Sequence, residues 1–245
     1  QLDALFGGGL DAGSACLVMG TSGAGKSTLT SLYTAAVAER GEFASVYCFD
    51  ESRETYLRRC KGLQLEVGEY IEKGLVELRQ FDVGGLTPGE FVQNIRADVE
   101  ERSAKLVVID SFTGYLNLMP HHGELVAKLH ELLRFLSGRG VLTLLTANLH
   151  GVLEARGTDI DTSYLADTVV FMRHFEAMGA MRYCMAVLKK RHGEHERTIR
   201  EIEFVPGGFR VGPPLKDFTG VLSGTPEYVG DGEALLERDG DDQRE

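Results

Sequence analysis

Residues 20–28 read GTSGAGKST and match the pattern GxxxxGK[ST], which is typical of a loop that holds phosphate groups. The apolar run Ala15–Met19 before the loop predicts a buried strand, and a helical pattern starts near Ser27. In such a unit, backbone N–H groups and the helix N-terminus face phosphate oxygens. Lys26 would reach the β- and γ-phosphates, and Ser27 would bind Mg²⁺. The predicted nucleotide contacts are Thr21, Ser22, Gly23, Ala24, Gly25, Lys26, Ser27 and Thr28.

Short apolar runs alternate with longer amphipathic stretches around this loop. The predicted buried strands are Ala15–Met19, Val46–Phe49, Leu106–Ile109 and Val141–Thr146. The predicted helices are Ser27–Glu39, Ser52–Lys61, Pro88–Ser103 and Glu124–Ser137. Strands that alternate with helices favour βαβ units, so we expect a three-layer α/β fold with a mainly parallel central sheet.

The pattern changes after Ala166, where four strand-like runs follow one another across short turns. These runs are Thr168–Arg173, Arg182–Lys189, Thr198–Phe204 and Gly208–Val211. They predict an antiparallel extension of the sheet, with turns at residues 177–179 and 206–208. We expect a short helix at Leu215–Leu222. Residues 1–229 should form one domain, and residues 230–245 an acidic, disordered tail.

The chain is acidic, with 26 Lys+Arg against 37 Asp+Glu in 245 residues and a formal net charge of −11. This balance argues against a dedicated nucleic-acid binder, which usually has a basic face. No apolar run reaches about 18 residues, the length that a membrane-spanning helix needs. The four cysteines lack CxxC spacing. We therefore expect a cytoplasmic protein with free, buried thiols and no membrane span.

Polar residues stand where the predicted strands end. Asp110 ends a buried strand and is expected to hold Mg²⁺ through water. Asp50 and Glu51 follow another buried strand, and two adjacent acids at that edge of a parallel sheet indicate a catalytic base. We prefer Glu51 as the principal base with Asp50 assisting, although the reverse order and a helix-capping role stay open. Thr146 and Asn148 end the fourth strand and are candidate sensors of the γ-phosphate.

Several segments together resemble the KaiC group of RecA-like ATPases, and more narrowly the second, C-terminal ATPase domain of KaiC-type circadian clock proteins. The matching stretches are GGL at Gly8–Leu10 with Gly13, GTSGAGKST from Gly20, FDESR at Phe49–Arg53, VVIDS at Val107–Ser111, ADTVVFMR at Ala166–Arg173, VLKKRHGEHERTIREI from Val187 and LSGTP at Leu222–Pro226. The resemblance covers the chain up to the acidic tail. It implies a RecA-like P-loop fold, ATP as the nucleotide, and hexameric rings with ATP at the subunit interfaces.

The resemblance also implies residue roles between subunits. Lys189 and Arg191 match the Lys-x-Arg strand end that reaches a neighbour's nucleotide in this family, where cations stabilise a transferring phosphoryl group. An adjacent Ser-Thr pair accepts phosphate in KaiC-type second domains, and it corresponds to Ser163-Tyr164 here. Tyr164 departs from that pattern and Thr162 precedes the pair, so Ser163 is the preferred acceptor.

These features predict an ATP-hydrolysing Ser/Thr autokinase that forms a ring-shaped homo-oligomer and acts with regulatory protein partners in signalling or timing. One alternative is a RecA-like DNA-dependent ATPase or recombinase. The segment after Asp110 up to Glu124 contains no Lys or Arg, whereas contacts to nucleic-acid phosphates need cations. The other alternative is a nucleotide-gated protein-interaction module with weak turnover, which Asp50 in place of a second glutamate favours.

Overall fold

A central β-sheet organises the chain. The computed structural model describes residues 2–81, 87–118, 122–148 and 162–230, with the side chains of 117–118, 122–126 and 162–163 excepted. Its strands are β1 (Ala15–Gly20), β2 (Ala44–Cys48), β3 (Val76–Gln80), β4 (Leu106–Asp110), β5 (Leu142–Asn148), β6 (Thr168–Ala177), β7 (Ala180–Lys190), β8 (Arg200–Val205) and β9 (Gly208–Pro214). Two short strands, β10 (Phe218–Thr219) and β11 (Glu227–Tyr228), pair separately.

Helices cover both faces of the sheet. They are α1 (Leu2–Leu5), α2 (Lys26–Glu39), α3 (Arg53–Gly62), α4 (Val67–Glu72), α5 (Pro88–Arg102), α6 (Phe112–Leu118) and α7 (His122–Gly138), with a 3₁₀ helix at Thr162–Leu165. Alternate residues of β1 enter different cores: Val18 packs in the core with Leu29 of α2, and Leu17 in the core with Leu132 of α7. The buried strands therefore lie between two helical layers, which confirms the predicted three-layer α/β fold.

The strand order is β3-β2-β4-β5-β1-β6-β7-β8-β9. The first six strands run parallel, and β7, β8 and β9 extend the sheet antiparallel. The predicted extension is thus confirmed for its last three strands. It is wrong for β6, which pairs parallel with β1. The first five residues of β6 are buried, as suits a strand inside a sheet that is covered on both faces.

Other differences from the sequence expectations are local. The strand β3 and the helix α4 are not predicted, because β3 is short and alternates buried with partly exposed residues. The expected helix at Leu215–Leu222 is absent. Phe218 instead lies in β10 and packs edge-on against Phe175, with ring centroids 5.6 Å apart. Residues 231–245 of the predicted tail lie outside the described residues. All four cysteines are buried and free, as expected.

The buried Asp98 of α5 forms an ion pair with the partly exposed Arg79 of β3 and a hydrogen bond with Tyr47 of β2. Asp98 is 2% exposed, and its Oδ1 accepts a hydrogen bond from Arg79 Nη2 at 2.9 Å. The Tyr47 hydroxyl donates to Asp98 Oδ2 at 2.7 Å. Burial and the neighbouring Asp98 raise the pKa of Tyr47, so the phenol stays protonated as a donor. This cluster fixes the outer strands against the helical layer.

Replacing Asp98 should therefore destabilise the fold. In Asp98→Ala, Arg79 and the Tyr47 hydroxyl lose a buried partner, and we expect a loss of about 3 kcal/mol in the free energy of unfolding in urea. Glu100→Ala is the matched control on the same helix, because Glu100 and Arg139 form an exposed pair (48% and 51%). That control should cost less than about 1 kcal/mol. Equal losses in the two variants would contradict this role of Asp98.

Candidate functional site

The predicted site residues around the phosphate loop share one edge of the sheet, where the parallel strands end. The loop follows β1, the acid pair follows β2, and Asp110 ends β4. They surround a cavity of about 670 Å³. The predicted residues that line it are Ser22, Gly23, Gly25, Lys26, Ser27, Thr28, Asp50, Glu51, Asp110, Thr146 and Asn148. We call this side of the sheet the carboxyl edge.

Lys26 is buried in the phosphate loop. Its Nζ donates to the carbonyl oxygens of Gly20 at 3.0 Å and Thr21 at 2.8 Å. Burial lowers the pKa of Lys26, and the carboxylates of Asp110 and Asp50 oppose that shift. The ammonium group thus lies in a cavity that Asp50 and Asp110 also line, a position from which it can meet an anionic ligand.

Two predicted loop contacts lie off the cavity wall. Ala24 is fully buried in the core. The Thr21 hydroxyl lies 3.3 Å from Nδ1 of His174 on β6, so its side chain faces the neighbouring strand. Both residues can still contribute backbone groups to the loop.

Gly25 is one position where the loop needs glycine. Its φ is +98°, in the left-handed region that favours glycine. A β-carbon there would lie 2.6 Å from the ring of Phe204 on β8. The β8 aromatic ring therefore packs directly on the phosphate loop and forms part of the cavity wall.

Asp110 has one oxygen bound and one free. The Thr146 hydroxyl donates to Oδ1 at 2.5 Å. The buried Oδ2 has no hydrogen-bond partner among the described residues. A buried carboxylate oxygen without a partner is costly unless a ligand or water satisfies it. Asp110 therefore offers an acceptor to a ligand or its bound water.

The two adjacent acids have different surroundings. Glu51 forms an ion pair with Arg59 of α3, and its side chain is 20% exposed. Asp50 is exposed, and a methyl group at Gly114 of α6 would overlap its carboxylate. Among the described carboxylates, Asp110 and Asp50 are the ones that act on the pKa of Lys26. Asp50 thus lines the cavity with Lys26 on the side of α6, while Glu51 is bound to α3.

Lys189 and Arg191 lie at the opposite edge of the sheet. Lys190 of β7 pairs with Thr168, and Thr168 pairs with Cys16 near the start of β1. The four residues from Cys16 to the loop span about 13 Å. Because β7 runs antiparallel, its end is carried away from the loop of its own chain. We call this side the amino edge.

The two predicted cations contact one short segment of the amino edge. Lys189 Nζ donates to Ala166 O at 2.8 Å. Arg191 pairs with Asp167 at 3.1 Å and donates to Tyr164 O at 3.3 Å. Arg191 lies just beyond the end of β7, rather than on it, and its side chain is 50% exposed.

The phosphoacceptor candidates belong to the same segment. Thr162, Ser163 and Tyr164 lie in the 3₁₀ helix Thr162–Leu165, which leads into β6. Tyr164 is 52% exposed, and the side chains of the other two lie outside the described residues. The candidates are therefore beside Arg191 and across the sheet from their own phosphate loop.

Sequence reasoning missed several residues that line the cavity, Arg59 and Phe204 among them. Arg59 binds Glu51 and the Ser27 carbonyl oxygen, and Phe204 covers Gly25. The sequence gives a weak indication for Arg59, because it lies three residues after Tyr56 and therefore on the same, inward-packing face of the helix. No local pattern marks Phe204, because its contact depends on how β8 returns across the sheet.

Comparison with known proteins agrees with this architecture. The family model for the KaiC ATPase matches residues 1–216. The chain belongs to the KaiC ATPase family. The match covers the phosphate loop, both edges of the sheet and the antiparallel strands, so the sequence-based family assignment is confirmed.

Individual relatives are distant. The chain is 27% identical over 237 residues to the circadian clock protein KaiC3 of Synechocystis sp., which covers 95% of this chain and 46% of that protein. It is 25% identical over 230 residues to the circadian clock oscillator protein KaiC of Acaryochloris marina, covering 93% of this chain and 44% of that protein. The chain thus spans less than half the length of these relatives. No helix among the described residues is long and apolar enough to cross a membrane.

Proposed function

We propose that this KaiC-family domain binds ATP with Mg²⁺ and hydrolyses it as a subunit of a ring-shaped homo-oligomer. The observation that carries the proposal is the meeting of Lys26, Asp110 and the Asp50-Glu51 pair in one cavity at the carboxyl edge. Lys26 would bind the β- and γ-phosphates, and the loop N–H groups would cradle them.

Ser27 and Asp110 suit Mg²⁺. Asp110 Oδ2 is buried without a partner among the described residues, and Ser27 lies in the first turn of α2. The described residues include no group of three or more His, Cys, Asp or Glu that could hold a metal alone. Mg²⁺ commonly keeps waters and takes phosphate oxygens as ligands. When bound, the ion neutralises charge on the β- and γ-phosphates.

The contacts of the acid pair favour Asp50 as the base, the reverse of the order preferred from sequence. Asp50 lines the cavity with Lys26 and has no ion pair among the described residues, whereas Glu51 is bound by Arg59. The oxygen of the attacking water would bond to the γ-phosphorus as the bond to the β–γ bridging oxygen breaks. ADP and phosphate leave, and Asp50 accepts the water proton.

The apolar part of the cavity wall suits the nucleobase. Phe204 and Leu63 are its large apolar side chains. Gly207 N donates to Leu63 O at 2.7 Å and holds the β8–β9 turn against the end of α3. An aromatic ring and an aliphatic side chain beside a phosphate loop can stack against a purine, in keeping with ATP.

Substitutions in the cavity should separate binding from chemistry. We expect Lys26→Ala to abolish binding of a fluorescent ATP analogue, whereas the exposed Lys73→Ala should bind as wild type. Asp50→Asn should bind the analogue but release phosphate about 100-fold more slowly, because the proton acceptor is lost. Glu51→Gln should have a smaller effect. Unchanged binding in Lys26→Ala would refute the nucleotide site, and full phosphate release in Asp50→Asn would refute the choice of base.

The opposite placement of loop and cations supports a site shared between subunits. In a ring, the amino edge of one copy would meet the carboxyl edge of the next, which brings Lys189 and Arg191 to the neighbour's γ-phosphate. The names of the relatives, a circadian clock protein and a circadian clock oscillator protein, support a role in timing, and we propose signalling with regulatory partners beside it. We retain cytoplasmic location as a proposal.

Mixing inactive variants tests this arrangement. Lys26→Ala and the double variant Lys189→Ala/Arg191→Ala should each be inactive alone. Their mixture should regain ATPase activity, since an intact loop can meet intact cations at some interfaces. A mixture of Lys26→Ala with Asp50→Asn is the control, because both changes disable the same edge, and it should stay inactive. Failure of the first mixture to recover would count against a shared site.

Autophosphorylation would use the same shared site. The oxygen of an acceptor hydroxyl would replace water in attack on the neighbour's ATP, with ADP as the leaving product. Incubation with γ-labelled ATP, followed by mass spectrometry, should place label within residues 162–164 and first on Ser163. Ser163→Ala should lose most of the label, while Tyr164→Phe should keep it. No label on these three residues would leave an ATPase without the kinase activity.

A further inference from the structure

Arg59 binds three separate parts of the site. Its guanidinium forms the ion pair with Glu51, donates to Ser27 O at 2.8 Å and donates to Ser31 Oγ at 2.9 Å. It also lies 4.8 Å from the centre of the Tyr56 ring. A side chain with this many contacts is held in one position, so the Glu51 carboxylate that it binds is held as well.

The ion pair between Arg59 and Glu51 gives the two adjacent acids different surroundings. The guanidinium occupies one oxygen of the Glu51 carboxylate and holds that carboxylate toward α3, so Glu51 is less available to a water molecule in the cavity. An arginine side chain keeps its charge in proteins, so the ion pair with Glu51 persists. Asp50 has no such partner among its described hydrogen bonds and lines the same cavity as Lys26.

We propose that Arg59 is a positioning residue that withholds Glu51 from catalysis and leaves Asp50 as the base. The inference rests on the proposed ATPase function. It adds that the choice between two adjacent acids is made by a residue of α3. It also predicts that Glu51 becomes able to accept the proton from water once Arg59 is removed.

A rescue experiment tests this directly. Phosphate release in Asp50→Asn should be slow, and the double variant Asp50→Asn/Arg59→Met should regain about 10-fold in kcat, because the freed Glu51 accepts the proton. Adding Glu51→Gln should abolish the gain. A purely structural role of Arg59 predicts a further loss in the double variant, never a gain. Binding of the fluorescent ATP analogue should stay near wild type throughout, so the effect is on kcat rather than KM.

The adjacent Arg58 supplies the matched control. It pairs only with the exposed Glu54 among the described contacts, and its side chain is 77% exposed. Asp50→Asn/Arg58→Met should therefore be as slow as Asp50→Asn. If the methionine variant at position 59 does not fold, Arg59→Gln serves instead, because a neutral amide can still donate to Ser27 O.

The outcomes separate the two proposals. A wild-type protein that releases no phosphate overturns the ATPase function itself. Hydrolysis by wild type without rescue in either Arg59 variant overturns only the role of Arg59. Rescue that survives Glu51→Gln also overturns it, because another group must then be the base.

Discussion

The shared direction of six neighbouring strands is the constraint on which the site depends. Parallel strands end at one edge, and adjacent strands lie about 4.8 Å apart. The order β2-β4-β5-β1 therefore brings together the acid pair, Asp110, Thr146 and the phosphate loop, although they are far apart in sequence. These polar groups lie at the ends of the strands, where the helical layers leave them open to the cavity. The strand order, rather than any one segment of the sequence, brings the site residues together.

The change of direction at β7 has the opposite effect. It carries Lys189 and Arg191 to the amino edge, beside the 3₁₀ helix with the hydroxyl candidates. A chain with its anion-binding loop on one edge and cations on the other is suited to head-to-tail contact between copies. Such a contact is heterologous, and it closes into a ring when the rotation between copies allows. The strand directions thus place the loop and the cations at opposite edges, as the proposed shared site requires.

The sequence is informative where a local pattern suffices. The loop GTSGAGKST and Asp110 both follow buried strands, so the amino-acid pattern alone predicts that they share an edge of the sheet. The parallel pairing of β6 is not predictable in this way, because an apolar strand carries no mark of its partner's direction. The pairing of Phe218 escapes prediction for a related reason. The sequence around Phe218 favours a helix, but its ring packs against the distant Phe175 instead.

The acid pair shows most clearly what the amino-acid sequence alone cannot predict. Asp50 and Glu51 are adjacent, follow the same strand and carry the same charge, so sequence gives no physical ground to rank them. Their difference comes from α3, where Arg59 returns to bind Glu51 after one and a half to two helical turns. Because Arg59 also binds Ser27 O, the same side chain links the acid pair to the start of α2. A displacement of α3 would therefore move Glu51 and the first turn of α2 together, because one side chain contacts both.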